Sequence, residues 1–168
     1  MALDLGKPTK PVSCFFYSQF TPNQQSFLVA IVKLFRIAYN EDMEKGILKQ
    51  NGVHLEDHEY ETVKLFLDLG YDIELIPPSK IKGLQMPDLM LQGIPWEMKS
   101  PKGSGKNTIK HTLQNAGHQS SNIIVDLRRC KLPEPIAQRD LNYYFKISKR
   151  IRRMKVVINE EKIVDYSK

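Results

Sequence analysis

With only two cysteines in 168 residues, Cys14 and Cys130, the chain has no Cys-x-x-Cys spacing. That argues against both a disulfide scaffold and a zinc knuckle, and the two thiols read as reduced and largely buried. No apolar run approaches the roughly 20 residues a membrane-spanning helix needs, and Met-Ala-Leu-Asp-Leu-Gly at the N-terminus has neither the basic region nor the apolar stretch of a secretory signal. The expectation is a soluble, cytoplasmic protein with no membrane partner. Internal repeats, low-complexity tails and obvious linkers are absent as well. The length suits one sizeable core and is short for two.

Acidic residues are scarce in the second half. Residues 1–97 hold 9 Lys/Arg against 13 Asp/Glu, a net of −4, whereas residues 98–168 hold 16 against 6, a net of +10. A positive half of this kind suits a polyanionic partner.

Hydrophobic spacing supplies the elements. Thr21-Pro22-Asn23-Gln24 offers an N-cap, a first-turn proline and a Gln that can bond back to the cap, opening a helix that stops near Asn40. Asp57 can cap a second helix, ended by Gly70, with Thr62, Val63, Phe66 and Leu69 inward. Residues 71–76 alternate as a strand, and 86–91 and 95–99 form two more around Gly93. A helix with Ile109, Leu113 and Ala116 inward precedes residues 122–127, whose continuous Ile123-Ile124-Val125 reads as an interior strand. Residues 136–153 read as a last helix offering Tyr144, Ile147 and Ile151, and two short terminal strands meet through residues 159–162. The expected fold is an α/β sandwich, with a helix-containing extension over residues 1–52 packed on a domain spanning 53–168.

The feature that carries chemistry is Pro87-Asp88, eight intervening residues, then Glu97-Met98-Lys99. Across the hairpin, Asp88 and Glu97 come close together, and Glu97 and Lys99 point to the same side of their strand. Two carboxylates can hold a divalent ion that neutralises charge on a phosphodiester, while Lys99 orients or deprotonates the attacking water. Glu59 is a candidate third carboxylate, with surface capping as its alternative. Oxygen donors favour Mg²⁺, or Mn²⁺, over Zn²⁺. The loop 101–106 is not a nucleotide-binding P-loop, because glycine is missing at Ser100 and a hydroxyl at Asn107. Its Lys102 and Lys106, with Asn107, can instead hold backbone phosphates. Gln119 is a candidate water- or phosphate-orienting group, Arg128 and Arg129 candidate nucleic-acid anchors, and Trp96 a core indole. His111 and His118 read as solvated or phosphate-contacting.

At these residues the chain resembles the PD-(D/E)XK nuclease superfamily. Trp96 to Ser104, Asn107-Thr108-Ile109, Gln119-Ser120, Asn122-Ile123-Ile124 and Asp126-Leu127-Arg128-Arg129 resemble, more specifically, the C-terminal tRNA nuclease domain of contact-dependent growth inhibition toxins. The resemblance covers about residues 57–166. It implies a restriction-endonuclease-like sandwich whose central mixed sheet has about four strands, metal-dependent RNA cleavage and a cognate immunity protein. It also implies catalytic roles for Glu59, Asp88, Glu97, Lys99 and Gln119, and brings delivery into another cell beside the cytoplasmic reading. The residues themselves leave RNA and DNA open as substrates, RNA being favoured by the resemblance. A restriction or junction-resolving DNA endonuclease and a non-catalytic binding protein of the same fold are the alternatives.

Overall fold

The computed structural model describes residues 44–168, so the expected helix between Thr21 and Asn40, and Cys14, lie outside the described residues. Seven strands and three helices follow one another as β1 Leu48–Lys49, α1 Asp57–Asp68, β2 Ile73–Leu75, β3 Leu89–Leu91, β4 Ile94–Lys99, α2 Thr108–Gln119, β5 Asn122–Asp126, α3 Glu134–Ile147, β6 Arg153–Asn159 and β7 Lys162–Ser167. The strands form one mixed sheet in sequence order. β1 and β2 pair in parallel, as do β4 with β5 and β5 with β6; the other neighbours are antiparallel.

The expected four strands are therefore seven. β1 is two residues long and lies at the sheet edge, too short to show an alternating pattern. At the other end, β6 continues the central sheet because both its faces are covered: Met154, Val156 and Ile158 pack into one apolar cluster and Val157 into the other.

These two clusters define the layers. Val63 and Phe66 of α1 pack on Ile73, Leu75, Leu89, Leu91, Trp96, Met98 and Ile124. On the opposite face, Ile109, Leu113 and Ala116 of α2 and Ala137, Leu141 and Phe145 of α3 cover Ile123 and Val125. Alternation along a strand sends neighbours to opposite faces, so β5, buried at every position, is the interior strand its sequence predicts.

Two helix expectations need correction. The N-cap of α1 is Glu56, not Asp57. α3 runs from Glu134 to Ile147 rather than to Arg153, and its buried stripe is Ala137, Leu141 and Phe145. Tyr144 is half-buried and Ile147 is 56% exposed, while Ile151 is buried from beyond the helix end. Pro135 in the first turn sets the start. The 137/141/145 spacing of four competes with 144/147/151, and the early stop at Ser148 decides between them.

The hairpin that carries the acidic residues closes through Gln92 and Gly93, with φ of 48° and 76°. Positive φ at both central residues is the two-residue turn whose twist matches antiparallel strands. It fixes the register Leu89 to Trp96 and Leu91 to Ile94, and hence places Asp88 opposite Glu97.

Phe66, 1% exposed, anchors the α1 face. Phe66→Ala is expected to cost about 3–5 kcal/mol by urea denaturation, and Ile147→Ala less than about 0.5 kcal/mol. The reverse order would contradict the assigned stripes.

Candidate active site

Trp96 and Met98 point into the cluster under α1, so Glu97 and Lys99 project to the α2 face. Asp88 precedes Leu89, which faces α1, and projects to the same side as Glu97. The backbone locks this pairing: the Asp88 amide donates to the Trp96 carbonyl at 3.1 Å, and the Met98 amide donates to Asp88 Oδ2 at 2.7 Å. Lys99 Nζ donates to Glu97 Oε1. Two carboxyls and one ammonium therefore meet at one end of the β3–β4 hairpin.

Glu97 is 0% exposed, and apart from the Asp88 carboxyl beside it its Oε2 has no hydrogen-bond partner among the described residues. Burying a carboxylate oxygen without a partner is costly. Burial pushes the Glu97 carboxyl up to about 7; Lys99 pulls it down and the nearby Asp88 carboxylate pushes it further up. Burial likewise raises Asp88, against the Met98 amide and Lys99, with the Glu59 charge adding to the rise. Two carboxyls so close do not both ionise easily, and they titrate as a pair.

The donor set passes a test for a hard divalent ion. An orphaned carboxylate oxygen at Glu97 lies beside a second carboxylate, and all the donors are oxygens. Glu59 belongs to a different arrangement. Its Oε2 accepts from the Glu56 amide at 3.0 Å, completing a reciprocal capping box at the start of α1, so its charge reaches Asp88 while its carboxylate is engaged. No group of three or more His, Cys, Asp or Glu converges on a common ion position among the described residues. Asp88 and Glu97 are the two carboxyls that the structure brings together.

The Lys99 side chain, 30% exposed, reaches a groove of about 670 Å³ whose walls include His111, Thr112, Asn115, His118 and Gln119 of α2 and Gln85 of the preceding loop. Gln119, expected near the site, therefore shares the groove with Lys99. Nothing in the sequence singled out Thr112, Asn115 or Gln85, although 111, 115 and 118 repeat the helical spacing complementary to the buried 109, 113 and 116.

Lys102, Lys106 and Asn107 are exposed in the loop that joins β4 to α2. The loop is folded tightly onto the helix: a Cβ at Gly103 would lie 2.5 Å from Thr108 Oγ1. Arg128, a candidate nucleic-acid anchor, is engaged within the protein. Its guanidinium clasps the buried Asp126 through Nε and Nη2, at 3.0 and 2.6 Å to Oδ2, and Thr62 Oγ1 donates to the same oxygen at 2.6 Å. This cluster ties β5 to α1, on the face away from Glu97. Arg129 lines a separate groove with His54, His58 and Glu61. Trp96 is 4% exposed, the core indole expected.

A family model described as the contact-dependent growth inhibition CdiA C-terminal domain matches residues 85–163, which include the β3–β4 hairpin and the whole of α2. In fold, the chain is similar to one from the solved CdiA-CT/CdiI toxin and immunity complex of Burkholderia pseudomallei. The TM-score is 0.57 at 18% identity, covering 73% of this chain and 100% of that one. No curated protein matches the chain.

The raised Glu97 carboxyl makes stability pH-dependent. Folding favours its protonated form, so its contribution is fully present below the ordinary value of 4.5 and is lost as pH rises through about 7. In chelator, the urea midpoint is expected to fall across that window, and Glu97→Gln to flatten the fall. An equally steep slope in the variant would contradict the assignment.

Proposed function

We propose that the chain is a metal-dependent endonuclease of the contact-dependent growth inhibition toxin type, hydrolysing phosphodiester bonds of RNA, with tRNA the favoured substrate. The observation that carries this reading is the buried Glu97 carboxyl, whose Oε2 has no neighbour to bond but the Asp88 carboxyl, beside Lys99. Further support comes from the family model, which matches the segment containing all three residues, and from their PD-(D/E)XK pattern within a sheet covered by helices on both faces. On this reading the fold is of the restriction-endonuclease type. The preference for RNA rests on the sequence resemblance.

Asp88 and Glu97 would hold Mg²⁺, or Mn²⁺, which when bound supplies charge neutralisation on the phosphate and lowers the pKa of an attacking water. The protein's own part is positional. The Met98 amide fixes one Asp88 oxygen, and Lys99 holds Glu97 Oε1, leaving Oε2 as the uncommitted acceptor. An ammonium has three donors. With one directed at Glu97, the other two can face the groove, where they orient water and offset negative charge on the phosphoryl group. Gln119, on the same groove, is the proposed phosphate- or water-orienting amide. Lys102, Lys106 and Asn107 are proposed phosphate contacts at the mouth of the site; Arg129 remains a candidate anchor and Arg128 a weaker one, given its clasp on Asp126.

A cognate immunity protein is the proposed macromolecular partner, since the solved relative is a toxin and immunity complex. No helix among the described residues is long and apolar enough to cross a membrane, and delivery into a target cell forms part of the toxin reading.

Incubation with total tRNA, single-stranded RNA and duplex DNA, in Mg²⁺ or EDTA, tests the proposal. RNA cleavage in Mg²⁺ alone is expected, reduced at least about 100-fold by Glu97→Gln or Lys99→Ala. Cleavage that survives either substitution would refute the assigned roles. Cleavage confined to duplex DNA would move the substrate to the DNA endonuclease alternative. In parallel, Mg²⁺ is expected to raise the melting temperature of the wild type but not of Asp88→Asn; equal shifts would favour a binding protein of this fold.

A further inference from the structure

The groove beside Lys99 does not end at the catalytic residues. It follows α2, where His111, Asn115 and His118 succeed one another at spacings of four and three and line the same wall. At 1.5 Å per residue, the step from His111 to His118 covers about 10 Å. At its far end His118 touches the Arg150 guanidinium through its ring nitrogens.

Arg150 belongs to an exposed basic segment with Lys149 and Arg152, held against the end of α2. The Arg152 amide donates to the Ser121 carbonyl at 2.7 Å, and the Arg150 Cβ lies 3.8 Å from the position a Cβ would take on Gly117. Burial lowers the pKa of Lys168, and the nearby Arg152 charge lowers it further. Exposed cations elsewhere divide: Lys45, Lys49, Lys64, Arg139 and Lys162 each pair with a carboxylate, whereas Lys80, Lys82, Lys131 and Lys146 have none among the described residues. Lys149, Arg150 and Arg152 have no such partner among the described residues. A single cation would suffice to complement the C-terminal end of the helix dipole. Three exposed cations crowded together without a carboxylate raise the self-repulsion of the folded chain, and an external polyanion would relieve it.

We propose that the α2 wall and this basic segment form one continuous track for the sugar-phosphate backbone of a single nucleic-acid strand, entering over Arg150 and Arg152, passing His118, Asn115 and His111, and arriving at Lys99. The inference rests on the nuclease reading and deepens it. Beyond the scissile bond the strand is held along α2 to the end opposite the loop bearing Lys102 and Lys106. The polar wall offers ring and amide hydrogen-bonding groups, and the cations supply the salt-dependent share of affinity.

The test measures binding of a fluorescently labelled 20-nucleotide single-stranded RNA by the full chain carrying Glu97→Gln, in EDTA, across a range of salt concentrations. Added Arg150→Gln and Arg152→Gln substitutions are expected to weaken binding several-fold and to reduce the salt slope by about 0.7 for each phosphate no longer neutralised. His118→Asn is expected to weaken binding while leaving the slope nearly unchanged. Lys162→Gln, which removes one charge on β7 away from the groove, is the control and should match its parent. All four proteins are compared at equal melting temperature, so that a damaged fold is distinguished from a weakened grip on the strand. Equal slopes for the Arg150/Arg152 and Lys162 variants would overturn the track and leave the cluster to an acidic protein partner. The assay needs no turnover, so a wild type that cuts nothing would sink the nuclease reading while the binding result still decides the track.

Discussion

The site depends on one electrostatic constraint: a carboxylate with no solvent access is held beside a second carboxylate, and one lysine donates to the first. The sheet imposes this. β4 must bury Trp96 and Met98 under α1 to complete that core, and strand alternation then turns Glu97 toward α2, where the neighbouring strand is buried on both faces. The hairpin register brings Asp88 opposite. Neither charge can move away without breaking the ladder, so relief must come from a proton, from Lys99 or from a cation. A protein that keeps such a pair forgoes stability near neutral pH, and this is the kind of strain found at functional sites.

Around that centre the two faces of the sheet do different work. The α1 face is structural: its apolar cluster and the Thr62, Asp126 and Arg128 hydrogen bonds tie helix to strand. The α2 face carries Glu97, Lys99 and the groove. α2 serves both purposes, burying Ile109, Leu113 and Ala116 against β5 while presenting His111, Asn115 and His118 to the groove. The Gly103 loop clamps its first turn, and Ser121 anchors the basic segment just beyond its last.

Much of this is legible in the residues. The Gln92-Gly93 turn, the alternation around Trp96 and the all-apolar centre of β5 are local signals with one good structural solution each. The proximity of Asp88 and Glu97 follows from them. The extent of the sheet is less legible, because β1 has two residues and whether the terminal hairpin joins the main sheet depends on burial rather than on its own pattern. The α3 stripe differs from expectation where two apolar periodicities overlap and only the helix end distinguishes them. Glu59 shows the limit for single side chains: spacing from a hydrophobic stripe places it near the core edge, but cannot reveal that its carboxylate closes a capping box with Glu56. Arg128 is similar, since its charge is visible in the sequence, whereas its clasp on Asp126, two residues away, depends on the geometry of a strand end.

Asp88 and Glu97, on this reading, complete their coordination with a divalent ion. Anomalous diffraction from crystals soaked in Mn²⁺ probes that pairing most directly. The expected result is a peak about 2.1 Å from Glu97 Oε2 and from an Asp88 oxygen, abolished in Glu97→Gln crystals grown in the same way. A Mn²⁺ peak elsewhere on the protein, with that pair left bare at saturating ion, would contradict it.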